Sequence, residues 1–323
     1  MKANNAVATT ARNKSFSTLI NSPNYRAMID KSVGDPRRAA SLVSTLIYAV
    51  NSTPALQNCN VGTIISAALR GEIGMNLSLS LGQYSIVPYG DKAQFIISAN
   101  GLKQLAIRSG TYSAIGFFDV RDGEYKGRER RTREPIFEWV EDEEVRETLP
   151  IIGYYGFYRL NEKYNNFFQC IYWSHDKILR HADRYSKAFS LAKYKAMLDG
   201  KLEAGEARRL QGGSPWYGDP NSLAHMKMCE KTIAKQLLGD GMAPKEIQEA
   251  IQADNIEEET GEPVTYAGDA VFDIPEPAEA APDAPDGEKN TAEAADTPEP
   301  DAPQKPRQKR MDDTPAQSDF FGE

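Results

Sequence analysis

Three cysteines in 323 residues, Cys59, Cys170 and Cys229, leave no disulfide framework, and none of them forms a C-x-x-C pair. A reducing compartment suits such a chain. The opening stretch MKANNAVATTARNK lacks the apolar core of a signal peptide. No apolar run approaches the ~20 residues needed to cross a bilayer, so a soluble cytoplasmic protein with no membrane partner is expected. No glycine loop of the P-loop or dinucleotide type is present. His175, His181 and His225 have neither zinc-ligand spacing nor a cysteine pair beside them, so no metal site is expected. No zinc finger, basic zipper or RNP-type aromatic signature occurs either. A metal-dependent nuclease would have to use Asp91 with Glu124-x-Lys126, a short and permissive match, and no catalytic residue is indicated.

Charge is present but unevenly placed. From Asp254 to Glu323 there are 20 acidic and 5 basic residues, a net of −15. The remaining 33 basic and 26 acidic residues give Met1 to Ala253 a net of +7. A basic body with an acidic tail points to a polyanion as the partner of the body.

The stretch from Ile86 to Gly110 reads as turn, strand and short helix. Val87 to Asp91 is a turn cluster, Gln94 to Ser98 an apolar strand, and Leu102, Leu105 and Ala106 share one helical face before Gly110. Before it, Ser15 to Lys31 has a possible short helix. Asp35-Pro36 starts a helix that buries Leu42, Leu46 and Val50. Another helix begins near Asn60 and stops by Gly74. Met75 to Gly82 alternates in strand fashion, with a loop as the alternative. After it, Ala114 to Arg121 is a strand and Asp122-Gly123 a hairpin-type turn. A basic run, Lys126 to Arg133, and an acidic run, Glu138 to Glu147, either pair across a hairpin or lie solvated. The clearest strand pair is Ile151 to Leu160 with Tyr164 to Trp173. Ser174 caps a helix, and Asp219-Pro220 starts another that runs to about Leu238. The expected fold is α+β, a small antiparallel sheet flanked by helices. It divides into a flexible segment over residues 1–30, one domain over 31–250, and a disordered acidic tail over 251–323.

Two helices offer one-sided rows of cations. Lys177, Arg180, Arg184 and Lys187 fall at i, i+3, i+7 and i+10, opposite Ile178, Leu179, Ala182 and Tyr185. Lys227, Lys231 and Lys235 fall at i, i+4 and i+8, opposite Met226, Cys229, Ile233 and Leu237. The plain alternative is two ordinary amphipathic surface helices. Nearby Tyr185, Phe189, Tyr194, Trp216 and Tyr217 favour nucleic acid, because cations track phosphates while rings stack on unpaired bases. A sequence-independent backbone binder follows.

The order TPALQNC, LRGEIGMNL, IVPYGDKAQFIISANGLKQLAIRSG, SPWYGDP and HMKMCEKTIAKQLL resembles the RecT family of phage single-strand annealing proteins, over roughly Ser41 to Leu238. The resemblance implies a DNA recombination protein that is not an enzyme. It would bind single-stranded DNA and anneal it to a complement without ATP, yielding annealed duplex. It implies a homo-oligomer, ring or helical filament, in a bacterial host cell. A phage exonuclease and the host single-stranded DNA-binding protein would be its partners. No cofactor would be required, magnesium at most modulating DNA binding or annealing. Candidate DNA contacts are Lys92, Lys103, Arg108, Lys177, Arg180, Arg184, Lys187, Trp216, Lys227, Lys231 and Lys235. Lys103 and Arg108 point about 140° apart around a helix, so one would face DNA and the other a neighbouring protomer. The sequence departs from the family pattern at Asn100 and Gln236, where basic residues are common. The closing DDTPAQSDFFGE resembles the acidic, phenylalanine-bearing tip of bacterial single-stranded DNA-binding proteins. It would dock on that tip's partners or fold back as a DNA mimic, unless it is simply a solubilising tail.

Overall fold

The computed structural model describes residues 15–239 and 242–260. The expected N-terminal disorder before residue 15, and the acidic tail from 261 with its phenylalanine tip, lie outside the described residues. What is described is α+β, with small antiparallel sheets flanked by helices.

The first elements give structure to residues 15–30 of the expected flexible segment, where the possible short helix over Ser15 to Lys31 is present as two. From Ser15 the chain forms α1 (Phe16–Ile20) and α2 (Pro23–Val33), and Ile20 and Ile29 are fully buried. Sparse apolar anchors in polar surroundings suffice here, because they fit against α3 (Pro36–Ser52). The Asp35 carboxylate accepts the Arg37 and Arg38 N–H groups at 2.7 and 3.1 Å and starts α3, which buries Leu42, Leu46 and Val50. Asn60 caps α4 (Val61–Leu69), which widens into a π turn over Arg70–Gly74. The segment after it is a loop. Its backbone N–H groups find side chains instead of a ladder: Leu79 donates to Glu72 and Ser78 to Gln83, at 3.0 and 2.8 Å.

β1 (Tyr84–Tyr89) and β2 (Lys92–Ile97) form an antiparallel hairpin, so Val87 to Tyr89 are strand, and the turn is Gly90-Asp91 alone. Ser98 caps α5 (Ala99–Arg108) by accepting the Gly101 N–H at 3.1 Å. Gly101 is required by close approach: a Cβ there would lie 2.1 Å from the Gln83 carbonyl oxygen. The run from Ile86 to Gly110 is therefore a packed hairpin-helix unit.

Next come β3 (Tyr112–Arg121), β4 (Tyr125–Arg128), β5 (Pro135–Phe137), α6 (Glu143–Thr148), β6 (Ile151–Leu160) and β7 (Phe168–Ser174). The main sheet has the order β3-β6-β7, all antiparallel, while β4 and β5 pair separately. Asp122-Gly123 turns the chain into β4 without making a β3-β4 hairpin. Of the two charge runs, Lys126 and Glu138 meet across the small hairpin at 3.1 Å, both well exposed. Arg146 instead reaches inward to Glu124 and Asp119, at 2.6 and 3.3 Å.

The last helices are α7 (His175–Tyr185), α8 (Leu191–Leu198), α9 (Ala204–Gly213), α10 (Leu223–Leu238) and α11 (Lys245–Thr260). Ser222 caps α10; Asp219 serves the preceding turn by accepting the Asn221 N–H at 2.7 Å. Two apolar clusters result, and α10 belongs to both. Ala234, Leu237 and Leu238 join the cluster of α1 to α5 and α11, whereas Cys229 and Ile233 join that of β6, α7 and Trp216. Gly156 on β6 lets α10 press close, since a Cβ there would stand 2.7 Å from Ile233 Cγ2. Among the described residues no helix is long and apolar enough to cross a membrane.

Candidate nucleic-acid interface

Ser174 starts α7 by accepting the Lys177 N–H, and the helix buries Ile178, Leu179 and Ala182 against the sheet. Its opposite face is exposed. There Lys177, Arg180 and Arg184 line a groove of about 570 Å³, together with Trp173 of β7, His181, Tyr185, Gln236 of α10 and Asn255 of α11. The cations are interleaved with rings. Lys177 Nζ stands 4.0 Å above the Trp173 ring, and the Arg184 guanidinium 5.3 Å from that of Tyr185, which is 40% exposed. Arg180 pairs with Asp176. Partial burial lowers the Lys177 pKa, and the positive charge of Arg128 adds to that, so an anion entering here relieves a local excess of cations.

Lys187 does not extend this row. The helix ends at Tyr185, Ser186 takes an extended conformation, and Asp183 turns back to accept the Leu191 N–H at 2.7 Å. Lys187 is exposed beyond the helix end.

The row on α10 is corrected more deeply. Lys231 and Lys235 are only 4% and 8% exposed. Both ammonium groups bind one carboxylate, Asp254 of α11, at 2.7 and 2.8 Å, and Asp254 is itself 4% exposed. These lysines are therefore held inside the body by one shared carboxylate, which offsets one of their two charges. The same contact moves the boundary of the acidic tail, because α11 runs to Thr260 and buries Ile251, Ala253 and Asp254. Lys227 remains exposed, paired with Glu230 at 2.8 Å. Trp216, 4% exposed and packed against Phe189 and His225, is core and no platform for a base.

Lys92, Lys103 and Arg108 do not line the groove. Lys92 is exposed at the β1-β2 turn, and Lys103 is half-buried on α5. Arg108 donates to the Asn76 and Met75 carbonyls at 2.9 and 2.7 Å, pinning the loop before β1. Both carbonyls lie in its own chain, and the side chain stays exposed.

One grouping was missed at the sequence level. His175, at the start of α7, and His225 and Cys229, one turn apart on α10, bring their donor atoms within 4.8 Å of one another. The two Nε2 atoms are 2.8 Å apart. Burial, and then the neighbouring His225, push His175 down to about 4, while burial also lowers His225 and pushes the Cys229 thiol up to about 12. The His225-x-x-x-Cys229 spacing was visible in the sequence; the third member, far back in the chain, was not. Glu124 of the nuclease alternative is fully buried and held by Arg146 at 2.6 Å. Asp91 and Glu124 form no metal-binding group among the described residues.

A family model described as RecT family matches residues 40–266, from within α3 past the end of α11. "Uncharacterized protein YqaK" of Bacillus subtilis (strain 168) is 30% identical over 172 residues, 53% of this chain and 57% of that protein. "Protein RecT" of Escherichia coli (strain K12) is 24% identical over 129 residues, 37% of this chain and 48% of that protein. The chain thus spans about half the length of the curated relatives it matches. With the family match covering well over half of the sequence, this chain belongs to the RecT family.

Proposed function

We propose that this protein is a single-strand annealing protein of phage homologous recombination, and that single-stranded DNA lies along the α7 groove. The observation that carries this reading is the groove itself, where Lys177, Arg180 and Arg184 alternate with Trp173 and Tyr185 in a member of the RecT family. An annealing protein does not read sequence, since base pairing does that. It has to neutralise two phosphate backbones and leave base edges accessible, so that stacking of about 1.4 kcal/mol per step can accumulate. A cationic groove with ring faces meets both needs. The reading needs no nucleotide hydrolysis. It includes assembly of identical protomers into a ring or filament, so that many base pairs form in register, and work beside an exonuclease and the host single-stranded DNA-binding protein.

The test is a fluorescence annealing assay with two complementary oligonucleotides, run with magnesium and inspected on a gel. Faster duplex formation with strand lengths intact is expected, along with affinity that falls steeply with salt as counterions are released. Binding without acceleration would reduce the protein to a passive coat. Shortened strands would make it a nuclease.

A further inference from the structure

Beneath the groove, the start of α7 and the first half of α10 meet at His175, His225 and Cys229. We propose that these three side chains form a binding site for a zinc-class divalent ion that staples α7 to α10. Two imidazole nitrogens and one thiolate are the donor set such an ion selects, three protein ligands leaving a fourth position for water. Their donor atoms already lie within 4.8 Å of one another. His225 and Cys229 share one face of α10 a turn apart, the spacing that lets two side chains reach one ion. Two bonds of about 2.05 Å at a tetrahedral angle put ligating nitrogens about 3.3 Å apart. The His175 and His225 Nε2 atoms, now 2.8 Å apart, need open by only about half an ångström.

Burial supports the assignment. His225 and Cys229 are fully buried, and the His225 ring lies edge-on to Trp216 beside the Pro215 and Trp216 backbone. The His175 and His225 Nε2 atoms now share one hydrogen bond, and an ion that takes the thiolate and both Nε2 lone pairs replaces it with a bond to each donor. The thiol proton leaves to solvent as the metal–sulfur bond forms. Tyr154 and Trp216 wall the site on the side of the second apolar cluster. The half-buried His175 leaves a way in from the α7 end. The site does not depend on what the groove binds.

The test uses the full-length chain made without a polyhistidine tag, stripped with a chelator and titrated with zinc or with cobalt(II). One equivalent per chain is expected, with a thiolate-to-cobalt charge-transfer band and a zinc-dependent rise in Tm. Cys229→Ala should abolish the band. His175→Gln should weaken zinc binding by about tenfold or more, and His181→Gln, on the same helix but outside the cluster, should leave it unchanged. Circular dichroism of each stripped variant reports folding, and the milder His175→Gln decides the matter should Cys229→Ala unfold. Substoichiometric binding, absence of the charge-transfer band, or zinc affinity equal in wild type and His175→Gln overturns the site.

Discussion

Helices α7 and α10 carry one signature in sequence, a row of cations opposite an apolar row, yet they sit in opposite surroundings. On α7 the apolar side packs on the sheet, and Lys177, Arg180 and Arg184 face a groove. On α10 both sides pack, because the helix runs between two apolar clusters and α11 closes over the lysine row. The carboxylate that makes this tolerable is Asp254. Two ammonium groups stripped of water need a compensating charge in hydrogen-bond contact, and one well-placed carboxylate supplies both contacts. A cation row therefore predicts a binding surface only where nothing else in the chain covers it.

Asp254 carries the largest difference between the two helices. Asp254→Ala should destabilise by about 3–5 kcal/mol, since it strands two buried cations; urea unfolding measures it. Arg184→Ala should stay within about 0.5 kcal/mol of wild type in the same assay. Trp216→Ala should cost a similar 3–5 kcal/mol through the cavity it leaves. Tyr185→Ala should instead spare stability and weaken single-stranded DNA binding by about 1–3 kcal/mol, the worth of one stacked base. The sharpest contrast pairs two triple variants. Lys177→Ala with Arg180→Ala and Arg184→Ala should cut the slope of log affinity against log salt by about 2. Replacing Lys231, Lys235 and Asp254 together by Met, Leu and Leu should leave both stability and that slope nearly intact. A slope loss in the second triple would return the α10 lysines to the DNA surface. The smallest effects belong to α5: Arg108→Ala should cost about 1 kcal/mol by freeing the Met75–Asn76 loop, and Lys103→Ala about 0.5 kcal/mol or less.

Much of the fold was legible because it is written locally. Asp35-Pro36, Asn60 and Ser174 announce helix starts through side chains that accept the first free N–H groups. The aromatic and β-branched content of Ile151 to Leu160 and of the strand after it marks the main sheet. Strand partners were less legible. Asp122-Gly123 has turn chemistry, but β3 pairs with β6, and both strands pack against α10. The segment from Ser15 to Lys31 was legible as one possible short helix, while its division into α1 and α2 depends on how Ile20 and Ile29 pack into the apolar cluster with α3. In the candidate site, three of four expected α7 cations stand in the groove; Lys187 misses because periodicity does not report where a helix ends.

By itself the sequence determined the RecT-like order of segments, the basic body, and the amphipathic period of α7, since each depends on residues close together in the chain. Only the tertiary structure decided which cations meet solvent, which meet Asp254, and that His175 joins His225 and Cys229. The physical reason is burial. A lysine's surroundings, and hence its charge partner, are set by whatever element packs over it. For α10 that element is a helix lying where composition alone reads as tail.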